Sequence, residues 1–132
     1  MDEQKSQSDQ LEDRLIDFAV RIISLASGLP RNAPGRHISM QMLRSGTSGA
    51  PDYAEARGAE SSADFIHKLK VVQKELNETA VWLRILSKSV LTKEELIVDI
   101  LQENRELSRI ITASVRTAKA RLAPAPKMTN DN

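Results

Sequence analysis

The chain has no cysteine, which excludes a disulfide framework, a thiolate metal site and a cysteine nucleophile. Aromatics are almost as scarce, with 1 Trp, 1 Tyr and 2 Phe. Leu, Ile, Val and Ala must therefore fill the core, which suits helices packed side by side better than a β-sandwich. Neither charge sign dominates: the formal net charge is +1, giving no bulk electrostatic reason to invoke nucleic acid or acidic membranes. No apolar run approaches the roughly 18 residues that cross a bilayer. Residues 1–13 are polar and acidic and lack the basic and apolar regions of a signal peptide. At 132 residues the expectation is one soluble, cytoplasmic domain.

What the chain does have is helical periodicity. A first helix is predicted over residues 10–27, with Leu11, Leu15, Phe18, Ile22 and Ala26 as its seam. Ser8 or Asp9 is the expected cap, after a flexible N-terminus of residues 1–9. Ile16, Val20 and Ile23 widen the stripe onto a flank, and Gly28-Leu29-Pro30 stops the helix. The short link that follows makes the second helix, residues 36–57, antiparallel to the first. Its inward positions are Ile38, Met42, Ser45, Gly49, Tyr53 and Ala56. Gly46, Gly49 and Pro51 cost helix stability, so a kink or break is expected near Ala50-Pro51. The alternative is a loop at Gly46-Thr47-Ser48-Gly49 between two shorter helices.

The third helix, around residues 64–86, has two apolar faces. Phe65, Leu69, Val72, Leu76 and Leu83 form one, and Val71, Val81, Trp82 and Ile85 the other. A small bundle buries only one such stripe, so the second asks for another chain. Val71, Val81, Trp82 and Ile85, with Ile16 and Val20, are the predicted oligomer interface, and Trp82 is its expected anchor. Ser61 with Asp64 and Thr92 with Glu95 have capping-box spacing before the third and fourth helices. The fourth helix turns Ile97, Ile100, Asn104, Leu107, Ile111, Val115, Ala118 and Leu122 inward. Pro124 and Pro126 end it, leaving residues 123–132 as a flexible tail. The prediction is an all-α, antiparallel up-down-up-down four-helix bundle over residues 10–122.

Gln41, Arg44, Ser48 and Glu55 share one side of the second helix, where Glu75 and Glu78 of the third could face Arg44. That stripe reads as an ionic network fixing helix register, or as a polar pocket. His67 follows Glu60 and Asp64 on one face, but His37 is the only other imidazole and no second Glu-x-x-His motif exists, so no metal is expected. The glycine-containing run lacks the Gly-Lys-Ser/Thr ending of a phosphate loop. No nucleophile-elbow context supports a hydrolase. Neither an enzyme nor a cofactor is expected. On the fourth helix Arg105, Arg109, Arg116 and Lys119 share a narrow sector. With Arg36 and Arg44, the set Arg109, Arg116 and Lys119 provides candidate phosphate contacts, read against a solvated face or pairing with a neighbour's acids.

The run Arg44-Ser45-Gly46-Thr47-Ser48, then Tyr53-Ala54-Glu55-Ala56, Glu60-Ser61, and residues 64–69 (Asp-Phe-Ile-His-Lys-Leu), continues with Lys74-Glu75, Glu78-Thr79 and Trp82-Leu83. Over residues 11–122 it resembles a bacterial four-helix bundle family. That family includes proteins encoded by intervening sequences in large-subunit ribosomal RNA genes and the accessory variability determinant of diversity-generating retroelements. The resemblance implies an antiparallel bundle assembled as a ring-like homopentamer. For the retroelement branch it also implies binding of nucleic acid and a reverse transcriptase. Pro51-Asp52 stands where the family usually has Ala-Asn, which removes a backbone donor and adds a negative charge. Two classes of function stay open: a non-enzymatic homo-oligomeric scaffold or adaptor for another protein, or an RNA- or DNA-binding accessory factor.

Overall fold

The computed structural model describes residues 5–123. Helix α1 (Gln7–Ser27) runs up, α2 (Ala33–Gly46) and α3 (Gly49–Arg57) return, α4 (Ser62–Lys88) runs up again, and α5 (Glu95–Leu122) comes back. Together α2 and α3 make one broken corner of an antiparallel four-helix bundle. Helix α1 packs against α2, α3 and α5, and α4 packs against the same three, so α1 and α4 occupy diagonal corners. The core follows the predicted seams except at the end of α5, where the enclosed seam stops at Val115: Ala118 is half-buried and Leu122, in the last turn, is 53% exposed rather than inward. Phe18, Ile22, Met42, Leu69, Leu83, Leu107 and Ile111 are fully enclosed.

Helix ends follow capping chemistry, with some displacements from expectation. Helix α1 starts earlier than predicted: Ser6, not Ser8 or Asp9, is the cap, and its Oγ accepts from the Asp9 amide at 3.0 Å. Residues 7–9 are thus helical. The predicted tail beyond Ala123 lies outside the described residues. Asn32 caps α2 by accepting from the Gly35 amide at 2.9 Å, so α2 begins at Ala33 rather than Arg36. Ser61 accepts from the Asp64 amide at 3.0 Å, while the Asp64 carboxylate meets Lys68 at 3.4 Å instead of returning to the cap. The Thr92–Glu95 capping box does not form. Glu94 is the cap residue of α5 and supplies no side-chain bond.

The break falls at Thr47-Ser48, as in the alternative of two shorter helices joined at Gly46-Thr47-Ser48-Gly49, and not near Ala50-Pro51. Gly46 is buried against Ile22 of α1, where a Cβ would lie 2.9 Å from two Ile22 side-chain carbons. Directly after it, the Thr47 hydroxyl donates back to the Leu43 carbonyl and Ser48 Oγ to the Arg44 carbonyl. Such hydroxyl back-bonding competes with the helical ladder. Pro51 then sits in the first turn of α3, where its missing N–H leaves no bond unmade.

Candidate functional site

Three surface regions bear on function. The first is the polar junction where α2 and α3 meet α4. Arg44 pairs with Glu78, its Nη1 lies 3.7 Å from Glu75 Oε2, and its Nη2 reaches Gln41 Oε1 at 3.3 Å. Glu78 also accepts from Trp82 Nε1 at 3.1 Å. Ser48 contributes only its backbone-directed bond, and Glu55 makes no hydrogen bond or ion pair among the described residues. Glu75 is mostly buried, and its Oε2, beyond hydrogen-bond reach of Arg44, has no donor. Burial raises the Glu75 pKa above the ordinary carboxylate range, opposed by Arg44 and reinforced by Glu78. Asp52 is raised by burial and by Glu55. Thr79 donates to Ser45 at 2.9 Å beneath this cluster, a buried contact that spacing alone had not suggested. Among the described residues no cluster of His, Asp or Glu could hold a metal ion.

The second region comprises two unpartnered apolar faces at the diagonal corners. On α1, Ile16, Val20 and Ile23 are 45%, 55% and 48% exposed. On α4, Val81 and Ile85 are 50% and 42% exposed. The other predicted interface residues on α4 lie elsewhere. Trp82 is half-buried on its own core, edge-on to His37 of α2 with ring centroids 5.9 Å apart. Val71 is half-buried at the seam with α3, beside Asp52, Glu55 and His67. One helical position separates Val81 from Trp82, and that rotation turns the indole sideways toward α2. The buried stripe also differs by one position at its start: Ile66 is buried and Phe65 half-buried.

The third region is the outer α4–α5 face. Arg105, Arg109, Arg116 and Lys119 are exposed along α5, and Lys70 of α4 joins them. Gln73 Nε2 donates to Thr112 Oγ1 at 2.8 Å between the two rows. None of the five cations makes an ion pair among the described residues. Interaction with the neighbouring Lys70 amine, by contact and by like charge, lowers the Lys119 pKa. Four carboxylates of these helices point elsewhere: Glu75 and Glu78 toward α2, Glu103 and Glu106 toward Arg14 of α1 at 2.6 and 3.1 Å. Arg44 belongs to the polar junction, and Arg36 lies near the start of α2. Neither shares the α4–α5 face. Sequence spacing within α5 found its own row but had no means of bringing Lys70 to it.

A family model described as 23S rRNA-intervening sequence protein matches residues 10–113. The chain is also similar to a solved structure of a protein of unknown function from the S23 ribosomal protein family of Bacteroides thetaiotaomicron VPI-5482. That similarity has 35% identity and a TM-score of 0.76, and it covers 80% of this chain and 98% of the other. No curated protein matches.

Proposed function

Because the chain belongs to the 23S rRNA-intervening sequence protein family, we propose, on that premise, a non-enzymatic scaffold or adaptor that works as a homo-oligomer. The observation that carries this reading is the pair of apolar faces on diagonal corners. Half-exposed Ile16, Val20 and Ile23 point away from half-exposed Val81 and Ile85. Faces that are unlike and point apart suit a head-to-tail contact, which makes a ring where the rotation between copies closes and a filament where it does not. Their flanks complement each other. Asp17, without an ion pair among the described residues, borders the α1 stripe, while Arg84 and Lys88 border Val81 and Ile85. The α1 face of one copy then meets the α4 face of the next. A count of five comes from the family resemblance.

Light scattering tests this directly. The wild-type protein is expected at the mass of five 14.7 kDa chains. Val81→Asp and Val20→Asp are each expected to lower that mass while helical circular dichroism is retained. An unchanged mass in both variants would overturn the placement, and a wild-type monomer would overturn self-association.

The α4–α5 face favours a second reading, a nucleic-acid-binding accessory factor. Five cations without acid partners can follow a phosphate backbone, and each phosphate neutralised steepens the salt dependence. Filter binding of structured RNA at two salt levels separates the readings. Affinity falling steeply with salt, and weakened further by Arg109→Gln with Arg116→Gln, supports phosphate contact. No binding at low salt removes it. Few aromatics line this face, so base stacking has little to build on.

A further inference from the structure

A cavity of about 350 Å³ opens between the end of α1 and the start of α5, away from the polar junction and the basic face. Its walls are Val20 and Leu25 of α1 with Leu96 and Ile100 of α5. Ile100 is buried at the floor, and Leu96 stands exposed at the rim. Three polar side chains, Arg21, Ser24 and Thr92, converge on the opening. None of them makes an ion pair or a side-chain hydrogen bond among the described residues, and none of the lining residues is acidic. An apolar cleft, open to solvent on one side and edged by a few unengaged polar groups, is a usual form of a small-molecule site, and this volume lies at the small end of the ~300–1,000 Å³ range.

We propose that this cavity binds an amphipathic monocarboxylate, its hydrocarbon body among Val20, Leu25, Leu96 and Ile100 and its carboxylate on Arg21. The charge at the mouth selects the occupant. A guanidinium without a carboxylate partner favours a planar anion, which it can hold through two parallel hydrogen bonds, and the Ser24 and Thr92 hydroxyls can donate to the same oxygens. The site goes beyond the assembly reading and does not depend on it, although Val20 borders both.

Decanoate is the probe, titrated into the full-length protein and followed by amide chemical shifts. Saturable shifts are expected at Leu25, Gly28, Leu96 and Ile100, and not at Val81 or Ile85. Arg21→Gln, at an exposed position, is expected to weaken decanoate at least tenfold while leaving methyl decanoate unchanged. Leu96→Glu, also exposed, places a carboxylate at the mouth and should abolish decanoate binding. Absence of saturable shifts at millimolar decanoate would overturn the proposal. So would equal affinity of Arg21→Gln, or shifts spread over both apolar faces. Because these shifts are read independently of particle mass, failure here leaves the oligomer measurement intact, and the reverse also holds.

Discussion

Among the described residues, Glu75 and Asn104 each carry a buried side-chain oxygen without a hydrogen-bond donor, and each makes a measurable claim. The folded pKa of Glu75 is raised, so its contribution to stability is present at acid pH and is lost as pH rises through that raised value. Glu75→Gln removes this titration. The variant is expected to gain stability relative to wild type at neutral pH, with the difference shrinking as the solution is acidified below the ordinary carboxylate range. Urea unfolding across pH checks it, and a pH-independent difference counts against the burial argument. Asn104 is fully enclosed and donates to the Leu76 carbonyl at 3.1 Å, leaving its own Oδ1 unbonded. Leu76 lies mid-helix, so removing Asn104 strands no acceptor. Asn104→Leu, similar in shape, is expected to be neutral or to stabilise by ~1 kcal/mol in denaturant titration. A large loss would mean that the amide makes a bond which Leu cannot replace.

At the scale of elements, two glycines permit approaches closer than a methyl allows. Gly46 presses on Ile22, an enclosed β-branched side chain that can give only by a small shift of α1, so Gly46→Ala should cost about 1–3 kcal/mol and leave the fold intact. Gly35 faces rigid backbone: a Cβ there would lie 2.0 Å from the Pro30 carbonyl oxygen. Gly35→Ala should be the worse of the two, and Gly58→Ala, with its nearest contact at 3.7 Å, should be tolerated. Thermal melts of the three variants give the ranking. The seams of all four corners were legible from apolar spacing, because burial imposes a 3.6-residue period that needs no partner to be read. The break was legible only as the second of two readings: Pro51 drew attention to Ala50-Pro51, whereas the chain breaks within Gly46-Thr47-Ser48-Gly49, next to a glycine closed in by α1. Thr92 similarly matched a capping pattern, yet it lies at the mouth of the α1–α5 cavity.

For the whole molecule, five cations gather on the outer α4–α5 face although the net charge is close to zero. Composition hides this, since a sum over the chain carries no direction. Three of the predicted phosphate contacts, Arg109, Arg116 and Lys119, share one face with Lys70, while Arg44 is taken by Glu78 and Arg36 lies on α2. Of the predicted oligomer residues, Ile16, Val20, Val81 and Ile85 are exposed, and Trp82 and Val71 turn toward neighbouring helices. Trp82→Ala is accordingly expected to lower the unfolding midpoint, through loss of its packing on the core and on His37, more than it changes particle mass. Val81→Asp should do the opposite. Calorimetry and light scattering on the same two samples distinguish them.

The diagonal placement of α1 and α4 has a geometric corollary. In the ring proposed above, a subunit that greets its neighbours through two dissimilar corners would encode how many copies complete a circle in the angle between those corners. The fractured α2–α3 rod lies beside both. A few degrees of hinge at Thr47-Ser48 would change that wedge, so the number of copies in such a ring would depend on a joint that no neighbouring copy needs to touch.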